Sequence, residues 1–253
     1  SIEPGQVIAA RELAKARTLF NQLDFDAAYK LGESVIKPLD KGTGVHALAN
    51  TLRYLGQAYA QWERFEWKAA AKTMTEHLKA RFGLHHWVDV DRVNAQALFC
   101  RQVGTDLYGT VRLADLHANA QRRFKQGRYD DAMARLYRAY EYLVQIRLMT
   151  KFGINTSTVT YAEVEGMALC QTTLDRLRRR VNNNGDGKLK PGLREGIELL
   201  AELQDPVGEY LVRQYWSEDW KPQKTYKEAA AGKLQAWLKA RNDSYLAHGT
   251  KTI

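Results

Sequence analysis

The chain has 253 residues, 45% of them hydrophobic and 26% charged, with 38 lysines and arginines against 29 aspartates and glutamates. That length supports one large domain or two modest ones, and the composition excludes wholesale disorder. The net charge of +9 and the pI near 9.4 point to a polyanionic partner without identifying it. Two cysteines, Cys100 and Cys170, make neither a disulfide framework nor a four-cysteine zinc site, and reduced thiols are expected. No run approaches the ~20 apolar residues of a membrane span, and Arg11 and Lys15 interrupt anything like a signal peptide. The expectation is a soluble, cytoplasmic protein with no membrane partner. Its start at Ser1 without a methionine reads as an excised C-terminal portion of a longer protein.

Taken in order, the elements are helical. Only 5 prolines occur, and Ala, Leu, Arg, Lys and Glu fill the long segments. Breaks rich in Gly, Pro, Asn or Ser fall at Lys37–Gly44, Gly153–Thr160, Asn182–Gly192 and Ser217–Thr225. Three segments look alike: Asp24-Phe25-Asp26-Ala27-Ala28, Glu66-Trp67-Lys68-Ala69-Ala70 and Arg128-Tyr129-Asp130-Asp131-Ala132. Each places an aromatic residue at a helix junction, followed by small residues that permit close packing. This is similar to the helical hairpins of tetratricopeptide arrays, although the unequal spacing of Phe25, Trp67 and Tyr129 excludes a regular ~34-residue repeat. The aromatic group Tyr59, Trp62, Phe65 and Trp67 is read as helical core rather than as a stacking surface for bases. Further along, Met133, Leu136, Tyr140 and Leu143 mark an apolar helix face, with Arg138 able to pair with Glu141 one turn on. Ile154–Tyr161 is β-branched but isolated, so it reads as a loop.

Between Arg176 and Arg194 the charge is concentrated. Arg176, Arg178, Arg179, Arg180, Lys188, Lys190 and Arg194 face one acid, Asp186, which gives 7 − 1 = +6 within that window. The cluster is a candidate grip on an RNA backbone. Inside it, Asn182-Asn183-Asn184-Gly185-Asp186-Gly187 imitates the start of a calcium loop, but Leu193 stands where a bidentate Glu is required. A polar turn is the reading. His46, His77, His85, His86 and His117 lack companion ligands at metal-binding spacing, so no metal site is expected.

The last helix is the best bounded. Thr225-Tyr226-Lys227-Glu228 has the capping-box pattern, and Gly249 stands where a left-handed terminating residue belongs. Between them Leu234, Leu238, Arg241, Tyr245 and His248 recur at alternating steps of four and three. Seven residues of helix bring Arg241 and His248 within about 20° of the same direction, separated by roughly 10.5 Å of rise. A guanidinium and an imidazole could therefore converge on one phosphate. The first neutralises charge and the second moves a proton near neutral pH. One helix supplies only one imidazole, so a two-fold dimer would complete an acid–base pair.

These residues carry a resemblance. Arg241-Asn242-Asp243-Ser244-Tyr245-Leu246-Ala247-His248 matches the arginine, polar residue and spaced histidine of HEPN ribonucleases. Asn119-Ala120-Gln121-Arg122-Arg123, Gly127–Ala132, Ala134–Ala139 and Glu141 resemble the helical part of CRISPR-associated proteins of the type III ancillary class, which join a nucleotide-sensing domain to a HEPN domain. The resemblance implies an all-α chain, with helical hairpins over 1–118 and a HEPN-type helical bundle over 119–253. It further implies a homodimeric, metal-independent and cofactor-free endoribonuclease that cuts single-stranded RNA in antiviral defence, leaving 2′,3′-cyclic phosphate ends. On it, His248 is the acid/base, Arg241 stabilises phosphate charge and Asn242 orients the pair. Cyclic oligoadenylate, the ligand of the family's sensor, would act only through a sensor domain for which this chain has no Gly-rich strand-to-helix turn. The other reading of the residues is a non-catalytic helical module that binds RNA or protein and keeps a vestigial HEPN site.

Overall fold

A computed structural model describes residues 4–79, 88–184 and 187–215, together with Ala236. Among these residues the fold is all-α, as expected: eleven helices and no strand. The helices are α1 (Pro4–Asn21), α2 (Phe25–Ile36), α3 (Gly44–Glu63), α4 (Trp67–Lys79), α5 (Val90–Thr105), α6 (Thr110–Lys125), α7 (Tyr129–Phe152), α8 (Tyr161–Glu165), α9 (Gln171–Asn184), α10 (Leu193–Glu202) and α11 (Pro206–Tyr215). The chain divides into two compact units, Ser1–Leu107 and Tyr108–Ile253. The 118/119 division read from the sequence falls inside α6.

The three look-alike segments build one turn, used each time. α1 passes to α2 through Leu23, α3 to α4 through Phe65, and α6 to α7 through Gly127, each left-handed at φ of 66°, 64° and 72°. In every case the next residue's amide reaches back five positions: Asp24 to the Leu19 carbonyl at 2.9 Å, Glu66 to Gln61 at 2.9 Å, and Arg128 to Arg123 at 3.0 Å. That bond satisfies a carbonyl orphaned at the helix end, and the donor residue simultaneously begins the next helix. A fourth copy joins α10 to α11. Gln204 is left-handed at φ 59°, and the Asp205 amide donates to the Leu200 carbonyl at 2.9 Å. Here Pro206 takes the place of the aromatic residue, as suits a first helical position.

In the first unit, α2 closes tightly on α3 because Gly56 lacks a side chain: a Cβ there would lie 2.8 Å from the Tyr29 amide nitrogen. Small buried residues at the helix starts, Ala28 and Ala70, serve the same end. Around them runs an aromatic chain: Phe20 to Tyr59 at 5.1 Å, Tyr59 to Trp62 at 5.8 Å and Trp62 to Phe99 at 5.6 Å between ring centroids. Tyr59 and Trp62 pack on the cluster of Leu55, Ala58, Met74, Val93 and Ala97, so their reading as core is correct.

The second unit is built round α7, which packs against both α6 and α10. Its buried residues are Ala132, Ala139, Tyr142, Val144, Ile146 and Leu148. A helix flanked on two sides has no single apolar stripe. That is why Met133, Leu136, Tyr140 and Leu143, the face read from the sequence, are only half-buried. Val144 and Leu148 join Leu177, Leu189, Ile197, Leu200, Leu211 and Val212 in the core. Ile154 and Val159 belong to it as well. The segment between α7 and α8 is therefore a loop, as expected, but one that is pinned by its apolar side chains. Among the described residues its one ladder contact is an isolated antiparallel bridge from Thr160 to Lys188. Gly196 lets α10 settle on α7, since a Cβ would fall 2.5 Å from Val144 Cγ1. Glycine at 208 does the same between α11 and α10, where a Cβ would meet Leu200 Cβ at 2.4 Å.

Candidate functional site

Arg241, Asn242 and His248, with the capped helix expected to carry them, lie outside the described residues. The basic cluster expected to grip RNA lies within them, and the fold divides its members.

α9 presents Thr173, Arg176 and Arg180 at helical steps of three and four to a row of carboxylates on α10. Thr173 Oγ1 donates to Glu202 at 2.5 Å, Arg176 Nη2 lies 2.5 Å from Glu198, and Arg180 is paired with Glu195. The numbering falls along one helix as it rises along the other, so the rungs define an antiparallel pair. Glu202 also accepts from the Cys170 amide at 2.9 Å, and Glu195 accepts from the Gly192 amide at 3.0 Å. Arg194 approaches Glu198 from its own helix at 3.8 Å. Glu198 is 3% exposed. Burial pushes its carboxyl up to about 7, while Arg176 and Arg194 pull it down and Glu195 and Glu202 add to the rise.

Two of the seven cations, Arg176 and Arg180, thus hold α9 on α10, and a third, Arg194, pairs within α10. Arg178 projects into solvent and sits over the Tyr161 ring at 5.5 Å. Arg179 and Lys190 are exposed, and Lys188 is half-buried beside its bridge to Thr160. A window ending at Arg194 excludes the three carboxylates that follow, which is how the sequence count reached +6. Glu195 is the next residue, and Glu198 and Glu202 lie on later turns of the same helix.

A second polar assembly had no reading from the sequence. Asp131, at the start of α7, lies 2.9 Å from Arg128, 2.8 Å from Arg135 and 3.4 Å from Arg123. Arg135 also donates to Asn119, whose side chain is wholly buried. One carboxylate therefore serves three guanidiniums beneath the α6–α7 turn. Asn119, Arg123, Asp131 and Arg135 all fall within the stretch that resembles the CRISPR-associated proteins. Arg128 and Arg135 meet Asp131 at i,i+3 and i,i+4 along α7; the hairpin turn adds Arg123 and Asn119 from α6. Arg138 and Glu141 pair as expected, at 3.3 Å.

Among the described residues no group of three or more His, Cys, Asp or Glu could hold a metal ion, and no helix is long and apolar enough to cross a membrane. Cys100 is buried and Cys170 half-buried, and neither forms a disulfide. His46 is half-buried and His117 exposed. His85 and His86 lie outside the described residues, as does the His77 side chain.

Neither the curated proteins nor the solved structures contain a match to the chain. Two family models do match it: that of the Csm6 6H domain over residues 8–101, and that of the Csm6 HEPN domain over residues 101–253. The second spans more than half the chain and includes both the α6–α7 hairpin and the Arg241–His248 motif. The chain belongs to the CRISPR-associated Csm6 HEPN family, whose role is of the ribonuclease type.

Proposed function

We propose that this protein is a metal-independent endoribonuclease that cleaves single-stranded RNA as a homodimer, with His248, Arg241 and Asn242 as its catalytic group. The carrying observation is the match to the Csm6 HEPN domain over residues 101–253, within which an arginine and a histidine stand seven residues apart. On this reading the imidazole of one protomer takes the proton from a ribose 2′-hydroxyl. The freed oxygen attacks the adjacent phosphorus and the bond to the 5′-oxygen breaks. The partner's His248 returns a proton to that leaving oxygen, and the ends are a 2′,3′-cyclic phosphate and a 5′-hydroxyl. Arg241 stabilises the charge that grows on the phosphorane oxygens, and Asn242 orients the pair.

The site acts in the cytoplasm in CRISPR-linked defence. The hairpin region, 1–118 by the sequence reading, extends or dimerises the nuclease bundle, 119–253. Cyclic oligoadenylate controls it only through a sensor domain joined to this chain. Of the basic cluster, Arg178, Arg179 and Lys190 are the cations exposed for phosphate contact. Arg176 and Arg180 act through the α9–α10 ion pairs, Arg194 through its pair with Glu198 inside α10, and Lys188 through its place at the bridge.

The test is cleavage of single-stranded RNA by His248→Ala and Arg241→Ala, with circular dichroism and sedimentation confirming fold and dimer. Each variant should lose about 100-fold or more in rate, while a chelator leaves the parent rate unchanged. Undiminished cleavage by His248→Ala removes the assigned role. A parent that binds RNA without cutting it fits the non-catalytic module instead.

A further inference from the structure

The hairpin turns repeat in their aromatic residues as well as in their backbone. Three positions before the left-handed residue and two after it stand Phe20 and Phe25 in the first turn, Trp62 and Trp67 in the second, and Phe124 and Tyr129 in the third. Phe20 and Phe25 meet edge to face at 5.0 Å; Phe124 and Tyr129 do so at 5.2 Å. The first two pairs are covered. Tyr59 packs on Phe20 at 5.1 Å and on Phe25 at 5.2 Å, and Phe99 lies 5.6 Å from Trp62. The third pair is left in water, with Phe124 63% and Tyr129 59% exposed. It has the geometry of a core contact that receives a further ring, and no ring of the described residues fills that place.

The charge around it identifies the ring. Over residues 122–135 the chain carries Arg122, Arg123, Lys125, Arg128 and Arg135 against Asp130 and Asp131, which is 5 − 2 = +3. Asp131 is already surrounded by three of those guanidiniums, and Lys125 and Arg128 are exposed beside the aromatic pair. A second copy docking this same face would set its exposed Lys125 and Arg128 against those of the first. A nucleobase brings a flat π surface with a phosphate on either side, which suits both features.

We propose that the Phe124–Tyr129 pair at the α6–α7 turn is a base-stacking subsite for single-stranded RNA, with Lys125 and Arg128 contacting the flanking phosphates. The subsite deepens the proposed function and rests on it for the identity of the polymer.

The test uses the full chain and a fluorescein-labelled, 2′-O-methylated single-stranded RNA, which binds but cannot be cut by 2′-hydroxyl attack. Anisotropy titrations of Phe124→Ala/Tyr129→Ala should show affinity about 10-fold or more below the parent. Tyr129→Trp should retain it, and Lys125→Gln should reduce the slope of log affinity against log salt by about 0.7. Both aromatic residues are exposed, so the melting temperature should hold. Unchanged affinity in the double variant overturns the proposal. Loss of self-association in sedimentation, at unchanged RNA affinity, also overturns it and makes the face a contact between copies. Gain or loss of binding to a protein partner at unchanged RNA affinity does the same. Cleavage is followed separately with His248→Ala. A parent that cuts RNA with no dependence on the aromatic pair refutes the subsite alone, and a parent that binds through the pair without cutting refutes only the nuclease. A parent that does neither refutes both.

Discussion

Asp205 joins two functions in one side chain, and removing it should separate them. The residue is 3% exposed. Its Oδ1 accepts from the amides of Val207 at 2.9 Å and Gly208 at 3.2 Å, capping α11. The same carboxylate meets Arg147 on α7, with Nε at 3.0 and 3.3 Å from its two oxygens and Nη2 in a further bond. Loss of the cap costs about 1 kcal/mol. Loss of the ion pair strands a guanidinium that is three-quarters buried, at about 3 kcal/mol. Asp205→Ala should therefore lose about 4 kcal/mol and Asp205→Asn, which keeps a capping oxygen, about 3 kcal/mol. Arg147→Met should cost a similar amount, because it leaves a buried carboxylate with only two amides. The double variant Arg147→Met/Asp205→Asn should fall short of the sum of its singles by about 2 kcal/mol. Urea unfolding followed by circular dichroism, with hydrogen exchange of the 193–215 region, measures these differences. The reasoning fails if both Asp205 variants lie within about 0.5 kcal/mol of the parent, or if the cycle is additive.

Glu198 gives a pH signature. Its folded value of about 7 exceeds the ~4.3 of an unfolded glutamate, so the fold binds a proton that the unfolded chain has released. Stability from this group is full below the unfolded value and is lost as pH rises towards 7, by roughly 4 kcal/mol in all. Glu198→Gln should flatten the stability profile between those limits, and a parallel profile refutes the assignment. Gln204 is a left-handed residue with a side chain, at φ 59°. Gln204→Gly should relieve more strain than it adds in chain entropy and raise stability by about 0.5–1 kcal/mol; a fall in melting temperature would show that the turn is not strained.

Much of the helical organisation was legible because it depends on local chemistry. The breaks at Lys37–Gly44 and Gly153–Thr160 coincide with the ends of α2 and α7, where glycines and turn residues stop a helix whatever surrounds it. The recurring aromatic-then-small pattern located three turns, since an aromatic anchor and a close-packed alanine are read directly from neighbouring residues. The fourth turn, Leu203-Gln204-Asp205-Pro206, escaped that pattern because proline replaces the aromatic residue. Its backbone bonds are the same, but they leave no side-chain signature.

Charge and exposure were another matter. The +6 of Arg176–Arg194 ceased to be one patch once α10 laid Glu195, Glu198 and Glu202 along α9. Coulomb pairing depends on distance in space, and a count along the chain does not contain that distance. Phe20, Trp62 and Phe124 occupy the same place in the same kind of turn, yet only Phe124 stands in solvent. Sequence by itself determined where α2 and α7 end and where the three aromatic-marked hairpins turn, because capping and backbone conformation are settled within a few residues. Which of those cations are neutralised, and which aromatic pair goes uncovered, was decided by tertiary structure alone, because both depend on what another helix brings alongside.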